Sequence, residues 1–398
     1  MKKVVITHAK RTPIGSFNGS LSQFSASELG SIVTKSLIQE SRIDVKSIDE
    51  VIMGNVLTSG MGQAPARQAA IFAGLTDHTE CLTVNKMCGS GLKAVMLAAQ
   101  AILAGDAEVI IAGGQESMTN SPYVLPKARN GYRLGNGEIV DTVVYDGLWD
   151  KYNNIHMGSC AEKCAKDFQF TRNELDEFAA ASYRKALDAQ SSGRFEDEIT
   201  KVAVSNKSGS VVFDKDEEPL KVNFEKIPLL KPVFQKDGVV TAANASSIND
   251  GASALLIMSE EKALELGLKP LVEIIAQSSA AKAPIEFTTA PADAISRLLH
   301  KSNLKIADID LFEINEAFAV VSLAVNKILA LDPDKINVNG GAVALGHPIG
   351  ASGTRVLVTL LHELSRRGGK RGLATLCIGG GMGIAMCIER DDSMKKVA

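Results

Sequence analysis

The chain has 398 residues, 45% hydrophobic and 22% charged, with a net charge of −3 at pH 7. That length makes two or three domains around a sizeable core, and the near-neutral balance argues against a polybasic binder of nucleic acid or membrane surfaces. Six cysteines in so long a chain, with no C-x-x-C pair, are too sparse for a disulfide framework.

Val4 to Thr7 reads as a first strand, entered with no signal-peptide run before it, so the cytoplasm is the expected compartment. No window is expected to reach the length of a membrane span. Arg11-Thr12-Pro13-Ile14-Gly15 reads as a loop, and Ala26 to Ser41 as an amphipathic helix. Val51 to Val56 is a buried strand, and Gln63 to Ala70 opens a short helix with Pro65 in its first turn. Leu82 to Val84 runs into a small-residue turn, after which Leu92, Val95, Met96, Ala99, Ile102 and Leu103 mark a helix that stops at Gly105. Val109 to Ala112 is a strand ending in Gly113-Gly114. Strands that are apolar throughout and alternate with helices argue for an α/β fold with a mostly parallel sheet covered on both faces.

Between Ser117 and about Val240 tyrosines, glycines, charges and turn signals take over, as in an inserted loop domain. One helix there is opened by the capping box Thr171-Arg172-Asn173-Glu174 and closed at Gly193, and another follows His156-Met157-Gly158. Cys160 and Cys164, with no second ligand pair nearby, read as packing rather than half a metal site. Core texture returns with the strand Ala254 to Met258. From Pro270 the first pattern recurs: strand Leu271 to Ile275, helix Ala292 to His300, strand Leu311 to Ile314, a helix to Leu329, helix Thr354 to Arg366 and strand Leu373 to Cys377. Lys395-Lys396 reads as a frayed tail. A small-residue turn, helix, glycine, apolar strand and glycine pair thus occur at 88–114 and again at 347–381, which suggests two similar halves. The expected division is 1–118 completed by 246–268, an inserted domain at 119–245, and a second half at 269–398.

Cys88 stands before a helix, where unpaired N–H groups and the positive end of the helix dipole favour a thiolate. If the halves pack about a pseudo-twofold axis, His347 arrives from the corresponding helix start of the other half. Asn315 and Cys377 both sit at C-terminal strand ends, where open α/β sheets place their ligands. A nucleophilic thiol, an imidazole, a second thiol to move a proton and an amide to hold water or an oxyanion make a covalent catalyst. Gly379-Gly380-Gly381 would leave backbone N–H groups bare for an oxyanion. Either cysteine alone would read as packing. Gly89-x-Gly91-x-x-Ala94 also fits a dinucleotide fingerprint, but the acid expected at the end of the next strand is missing.

Four stretches in order, Val84-Asn85-Lys86-Met87-Cys88 through Ala94, Asn315-Glu316-Ala317-Phe318, Gly346-His347-Pro348-Ile349-Gly350 and Cys377-Ile378-Gly379-Gly380-Gly381, resemble the motifs of the thiolase family. Over essentially its whole length the chain looks most like the short-chain acetyl-CoA acetyltransferases. The resemblance implies two similar α/β half-domains with central mixed sheets and helices on both faces, plus a loop domain, assembled as a tetramer of two tight dimers. It implies a reversible ping-pong condensation of two acetyl-CoA to acetoacetyl-CoA and coenzyme A, with no tightly bound cofactor. Cys88, deprotonated by His347, would take the acetyl group, and Cys377 would take a proton from the second acetyl-CoA. Asn315, through a water, and His347 would form one oxyanion hole, and the N–H groups of Cys88 and Gly379 the other.

The same resemblance sets His156 and Met157 along the pantetheine, narrowing the acyl pocket to two carbons, and counts Phe318 with the substrate-binding residues. Ser246, in Thr241-Ala242-Ala243-Asn244-Ala245-Ser246, would contact coenzyme A; many relatives place an arginine against the adenine after a Glu-x-Pro sequence, whereas here Glu217-Glu218-Pro219 is followed by Leu220, with Lys221 as a less rigid substitute. It further implies a potassium ion on the carbonyls of Ala242, Ala243, Ala245 and Val343, although the tyrosine that usually contributes is Phe178 here. A degradative thiolase of longer 3-ketoacyl chains and a non-catalytic acyl-CoA-binding scaffold are the alternatives. A decarboxylating ketoacyl synthase would typically carry histidine in place of Cys377.

Overall fold

The computed structural model describes residues 2–206 and 209–390, so the Lys395-Lys396 tail lies outside the described residues. At its centre is a ten-stranded sheet. Across it lie, in order, Leu311–Ile314, Arg371–Ile378, Met382–Glu389, Val272–Ala281, Val4–Arg11, Asn249–Ser259, Val109–Ser117, Glu50–Gly54 and Glu80–Val84, with the short Gly15–Ser16 beside Asn249–Ser259. The mostly parallel sheet read from strand texture is corrected, and the mixed sheet implied by the family resemblance is what the structure has. Among the described strands of the sheet, only Glu50–Gly54 with its two neighbours and Leu311–Ile314 with Arg371–Ile378 pair in parallel. Antiparallel strands buried on both faces carry the same unbroken apolar texture as parallel ones, which is why composition misread them.

The two halves meet where Val4–Arg11 and Val272–Ala281 pair antiparallel through Val5–Glu273 and Ile6–Val272. Outward from that junction the pattern repeats: an antiparallel strand, a second antiparallel strand, then a parallel neighbour. Between the halves lie the helices Ser90–Ala104 and Ser352–Arg367. One core joins their Leu92, Val95, Ile102, Leu357 and Leu360 to Ile110 and Ile257 of one half and Leu376 and Met386 of the other. Each such side chain contributes about 1.5–3 kcal/mol on burial, so this shared layer makes the halves one body. Ala26–Ser41 and Pro65–Phe72 cover the outer face of the first half, and Ala290–Ser302 that of the second.

The central helices cross at their first turns. A Cβ on Gly91 would stand 2.6 Å from Thr354 Oγ1, and one on Gly353 would stand 2.3 Å from Leu92 N. Only glycine permits that approach. Three local expectations also change. Val109–Ser117 runs through Gly113-Gly114 instead of ending there, because a Cβ would meet Ser253 O at 2.2 Å and Gly350 O at 2.1 Å respectively. Gly380 and Gly381, at φ +86° and +82°, form a hairpin turn into a further strand, Met382–Glu389, which the sequence reading did not include. Arg11 ends a strand rather than opening a loop. Fully buried, it donates to Glu198 at 2.6 Å and to Asp216 at 2.8 and 2.9 Å, tying the inserted segment to the sheet. Met87–Ala104 is, by length and composition, an 18-residue stretch apolar enough to span a membrane, against expectation; here it supplies the core helix between the halves.

Candidate active site

Cys88 lies in the turn between Glu80–Val84 and Ser90–Ala104. Met87 takes φ +48°, and its N–H donates to Asn85 Oδ1 at 3.0 Å. Ser90 Oγ accepts from Lys86 N at 2.8 Å and donates to Met87 O at 2.6 Å, which closes the turn. A Cβ on Gly89 would be 2.4 Å from Ile378 Cδ1, so the turn sits directly on the Cys377-Ile378-Gly379 segment of the other half. The backbone N–H groups of Gly379 and of Cys88 itself favour the charged form of the Cys88 sulfur.

Burial pushes the Cys88 thiol up to about 11, and the Glu116 carboxylate adds to the rise against the pull of those N–H groups. The thiolate expected from helix position is therefore corrected to a thiol. A helix terminus is worth about 0.3–1 kcal/mol, whereas a rise of this size corresponds to roughly 2–3 kcal/mol. Cys377 is fully buried, and burial together with the nearby Cys88 raises it well above the usual thiol range.

His347 is buried, with its N–H on Asn249 Oδ1 at 2.9 Å and its Nδ1 2.6 Å from Ser352 Oγ. Its Nε2 has no protein partner. Burial and then the Arg355 guanidinium push the ring down to about 3, so it is neutral at physiological pH and able to accept a proton. Asn315 follows Leu311–Ile314, its N–H on Thr375 O at 3.0 Å, and neither side-chain atom has a protein partner. Buried polar atoms are nearly always bonded, so these three atoms are free to meet water or a ligand. The loops adjoin: Cys88 packs with Ile349 beside His347, and Cys377 packs with Ala317 beside Asn315.

A pocket of about 560 Å³ opens here, lined by Met87, Met157, Gly379, Trp149, Tyr152 and Phe287 among others. Among its lining residues Val56 packs with Cys88, and Met157 and Phe287 pack with Cys377, which joins the pocket to the reactive groups. Met157 lies over Gly379, its Sδ and Cε 3.5 Å from where a Cβ would be. His156 caps Met157–Phe168, its Nδ1 accepting from Gly158 N at 3.0 Å, and stacks on Phe234 at 4.7 Å. Phe234 in turn meets Phe318 edge-on at 6.3 Å. Ser246 donates from both N and Oγ to Ala317 O, at 3.0 and 2.9 Å, which holds it against the Asn315 loop. Lys221 stands apart from these: its Nζ bonds Ser16 Oγ and lies 3.8 Å from Glu218.

Two family profiles divide the chain, one described as the thiolase N-terminal domain over residues 4–261 and one as the thiolase C-terminal domain over 268–390. The chain belongs to the thiolase family. It is 54% identical over 393 residues to an acetyl-CoA acetyltransferase of Pseudomonas aeruginosa, covering 98% of this chain and 100% of the relative. An acetyl-CoA acetyltransferase of Cupriavidus necator is 52% identical over 392 residues, with the same coverage. Among solved structures, the acetyl-CoA acetyltransferase of Bacillus anthracis superposes with a TM-score of 0.96 at 45% identity, covering 98% of this chain and 99% of that one. The Acat5 thiolase of Ascaris suum, in complex with coenzyme A, gives 0.93 at 45% identity, covering 98% and 100%.

In this thiolase the loop implied to hold potassium is fixed by side chains. Glu162 accepts from Val239 N and Val240 N, each at 2.9 Å, and Asn244 spans Thr241 N at 2.8 Å and Asp176 Oδ1 at 2.9 Å. Phe178, packed with Ala245 and Phe318, supplies no oxygen. Three residues of this thiolase escaped sequence reasoning. Glu116 accepts from Asn55 Nδ2, Val56 N, Leu57 N and Gly350 N at 2.7–3.1 Å, clamping a pocket wall to the His347 loop, and burial pushes it up to about 7. Phe234 joins His156 to Phe318, and Ser352 meets the His347 ring. A carboxylate at the end of an apolar, glycine-containing strand was the one available signal, for Glu116.

Proposed function

We propose that this thiolase is an acetyl-CoA C-acetyltransferase that condenses two acetyl-CoA to acetoacetyl-CoA and coenzyme A through an acetyl-cysteine. The observation that carries the reading is the buried Cys88 thiol under the Gly379 N–H, in the same site as a neutral His347 whose Nε2 is unpartnered. In the first half-reaction the Cys88 proton passes to His347 Nε2 and the sulfur adds to the thioester carbonyl. The N–H groups of Cys88 and Gly379 hold the oxyanion. The bond from carbon to the coenzyme A sulfur then breaks, and the leaving thiolate takes the Cys377 proton.

Cys377, now a thiolate, removes an α-proton from the second acetyl-CoA. That proton is weakly acidic, so the enolate oxygen needs its own support, from His347 and from Asn315 through a water. The carbanion adds to the acetyl group on Cys88, and the departing Cys88 sulfur regains its proton from His347. Thiolysis runs the same steps backwards. His156, Met157, Ser246 and Phe318 line the approach of the thioester, with Lys221 toward the nucleotide end. Met157, lying over Gly379, favours a two-carbon acyl group.

The three-part division at 118/119, 245/246 and 268/269 belongs to this reading, supported by the pairing of Asn249–Ser259 with Val4–Arg11 and Val109–Ser117. A homotetramer belongs to it too. The unpaired edge of Glu80–Val84 with exposed Leu82, and the exposed Leu125, Leu134 and Ile139 of the inserted segment, are surfaces that a partner copy would cover. The test is thiolysis of acetoacetyl-CoA against 3-ketooctanoyl-CoA, with wild type and Cys88→Ala. The four-carbon substrate is expected to win by at least about tenfold, the scale at which a pocket discriminates chain length, with activity lost in Cys88→Ala. Equal or faster cleavage of the eight-carbon substrate would move the enzyme to the degradative branch, and no turnover of either would leave a binding scaffold.

A further inference from the structure

The two central helices begin with the same dipeptide, Ser90-Gly91 and Ser352-Gly353, and both serines are fully buried. Ser90 Oγ donates to the turn carbonyl of Met87 at 2.6 Å and accepts the N–H of Lys86 at 2.8 Å. Ser352 Oγ donates to the turn carbonyl of Pro348 at 2.9 Å, and in place of a backbone N–H it meets His347 Nδ1 at 2.6 Å. We propose that Ser352 is a positioning residue that holds His347 as the Nδ1–H tautomer, so that Nε2 is the lone pair presented to the Cys88 proton.

A hydroxyl has one hydrogen to give, and a neutral imidazole has one N–H. With Nδ1–H donating to Ser352 Oγ and the Ser352 hydroxyl donating to Pro348 O, both hydrogens have acceptors, and only the Nε2 lone pair is left unpartnered. With the hydroxyl turned onto Nδ1, the ring hydrogen moves to Nε2, where it is buried with no acceptor, and Pro348 O loses a donor. Orphaned buried N–H groups are rarer than under-satisfied acceptors, so the first arrangement wins. Ser90, with the same polarity in the other half, follows the same rule without a histidine. The geometry is rigid at both ends: Ser352 N also bonds Pro348 O at 2.9 Å, and Asn249 Oδ1 holds His347 N at 2.9 Å. In a histidine the bond made by one nitrogen sets the role of the other.

The base role rests on the acetyltransferase reading above; the tautomer does not. The test is magic-angle-spinning NMR of 15N-histidine-labelled protein at pH 7, where His347 is one of six histidines and is identified by its loss in His347→Asn. Nδ1–H with an unprotonated Nε2 is expected in the wild type. In Ser352→Ala that signal should give way to a tautomer mixture, with kcat for acetoacetyl-CoA thiolysis about 10- to 100-fold lower and KM within about twofold, the scale on which a partner that orients a reactive histidine acts. Ser352→Thr should restore both. An Nε2–H wild type, an undiminished kcat in Ser352→Ala, or a Ser352→Thr as slow as the alanine variant would each overturn the proposal. The wild-type spectrum decides even where a variant fails to fold. A wild type with Nδ1–H but no turnover would sink the acetyltransferase reading while upholding the tautomer.

Discussion

The turn that carries Cys88 and the turn that carries His347 occupy matching places, one ahead of each central helix, yet they treat their reactive groups in opposite ways. In the first, Ser90 commits its hydroxyl to backbone atoms of Lys86 and Met87, and the sulfur two residues earlier has no side-chain hydrogen bond among the described residues. In the second, the serine hydroxyl meets the histidine ring itself, and Glu116 holds the intervening Gly350 N at 2.9 Å. The difference follows from what each group must do. A nucleophile changes partners during the reaction, from hydrogen to carbon and back, so a fixed side-chain bond would have to break each cycle. A base exchanges only protons, so one end can be anchored without cost to the other.

The largest effects come from removing the two reactive groups. Cys88→Ala is expected to abolish acetyl-enzyme formation, and His347→Asn to slow it by about 10²–10⁴, measured as acid-quenched acetyl-enzyme from labelled acetyl-CoA. Their pH behaviour sharpens the contrast. Burial holds Cys88 up at about 11 and His347 down at about 3, so the pair rests at pH 7 as thiol and neutral imidazole. Thiolate is what alkylates, and its fraction grows with pH until the thiol's own pKa. Iodoacetamide labelling of Cys88 should therefore climb about tenfold per pH unit from 7 to 10. A rate already level at pH 7 would mean a resting thiolate–imidazolium pair, and the contrast between the turns would collapse.

Next in size is the crossing that sets both turns against each other. Gly353→Ala would place a methyl 2.3 Å from Leu92 N, and Gly91→Ala would place one 2.6 Å from Thr354 Oγ1. Alanine gains about 1 kcal/mol over glycine in a helix, but backbone atoms cannot step aside, and overpacking costs about 1–3 kcal/mol or more. Each variant is expected to lose stability in urea unfolding. The double variant should lose less than the sum, since both methyls press on the same crossing. A stabilised Gly353→Ala would show the helices free to move apart.

Much of the scaffold was legible from periodicity and caps. Ala26–Ser41 falls where its apolar spacing put it, with Ser25 and Glu28 forming its capping box, and Leu311–Ile314 matches residue for residue. The residue types of Cys88, His347, Asn315 and Cys377 were legible as chemistry because each stands at a turn or strand end. What escaped depends on neighbours distant in sequence. Gly113 and Gly114 read as a strand end because Ser253 and Gly350, which demand their small size, lie far along the chain. The rule that a helix terminus lowers a thiol is local, whereas the burial that overrides it comes from Ile349, Val56 and the opposite half. Phe234 acts through tertiary contacts that no local pattern announces, Glu116 gives only the signal of a carboxylate ending an apolar strand, and Ser352 meets His347 five residues away only because the turn folds back on itself.

The smallest expected effect bears most directly on the comparison. Ser90→Ala removes two hydrogen bonds of the Cys88 turn, each worth about 0.5–1.5 kcal/mol net, so a loss of about 1–2 kcal/mol in urea unfolding is expected. Since Ser90 touches no reactive group, kcat should fall much less than in Ser352→Ala, and the pH profile of Cys88 labelling should keep its slope. Each serine opens its central helix, is fully buried and bonds a carbonyl of its own turn, so a difference in kcat between their alanine variants reports chiefly what the histidine ring adds. A Ser90→Ala variant as slow as Ser352→Ala would mean that both hydroxyls serve only to close their turns.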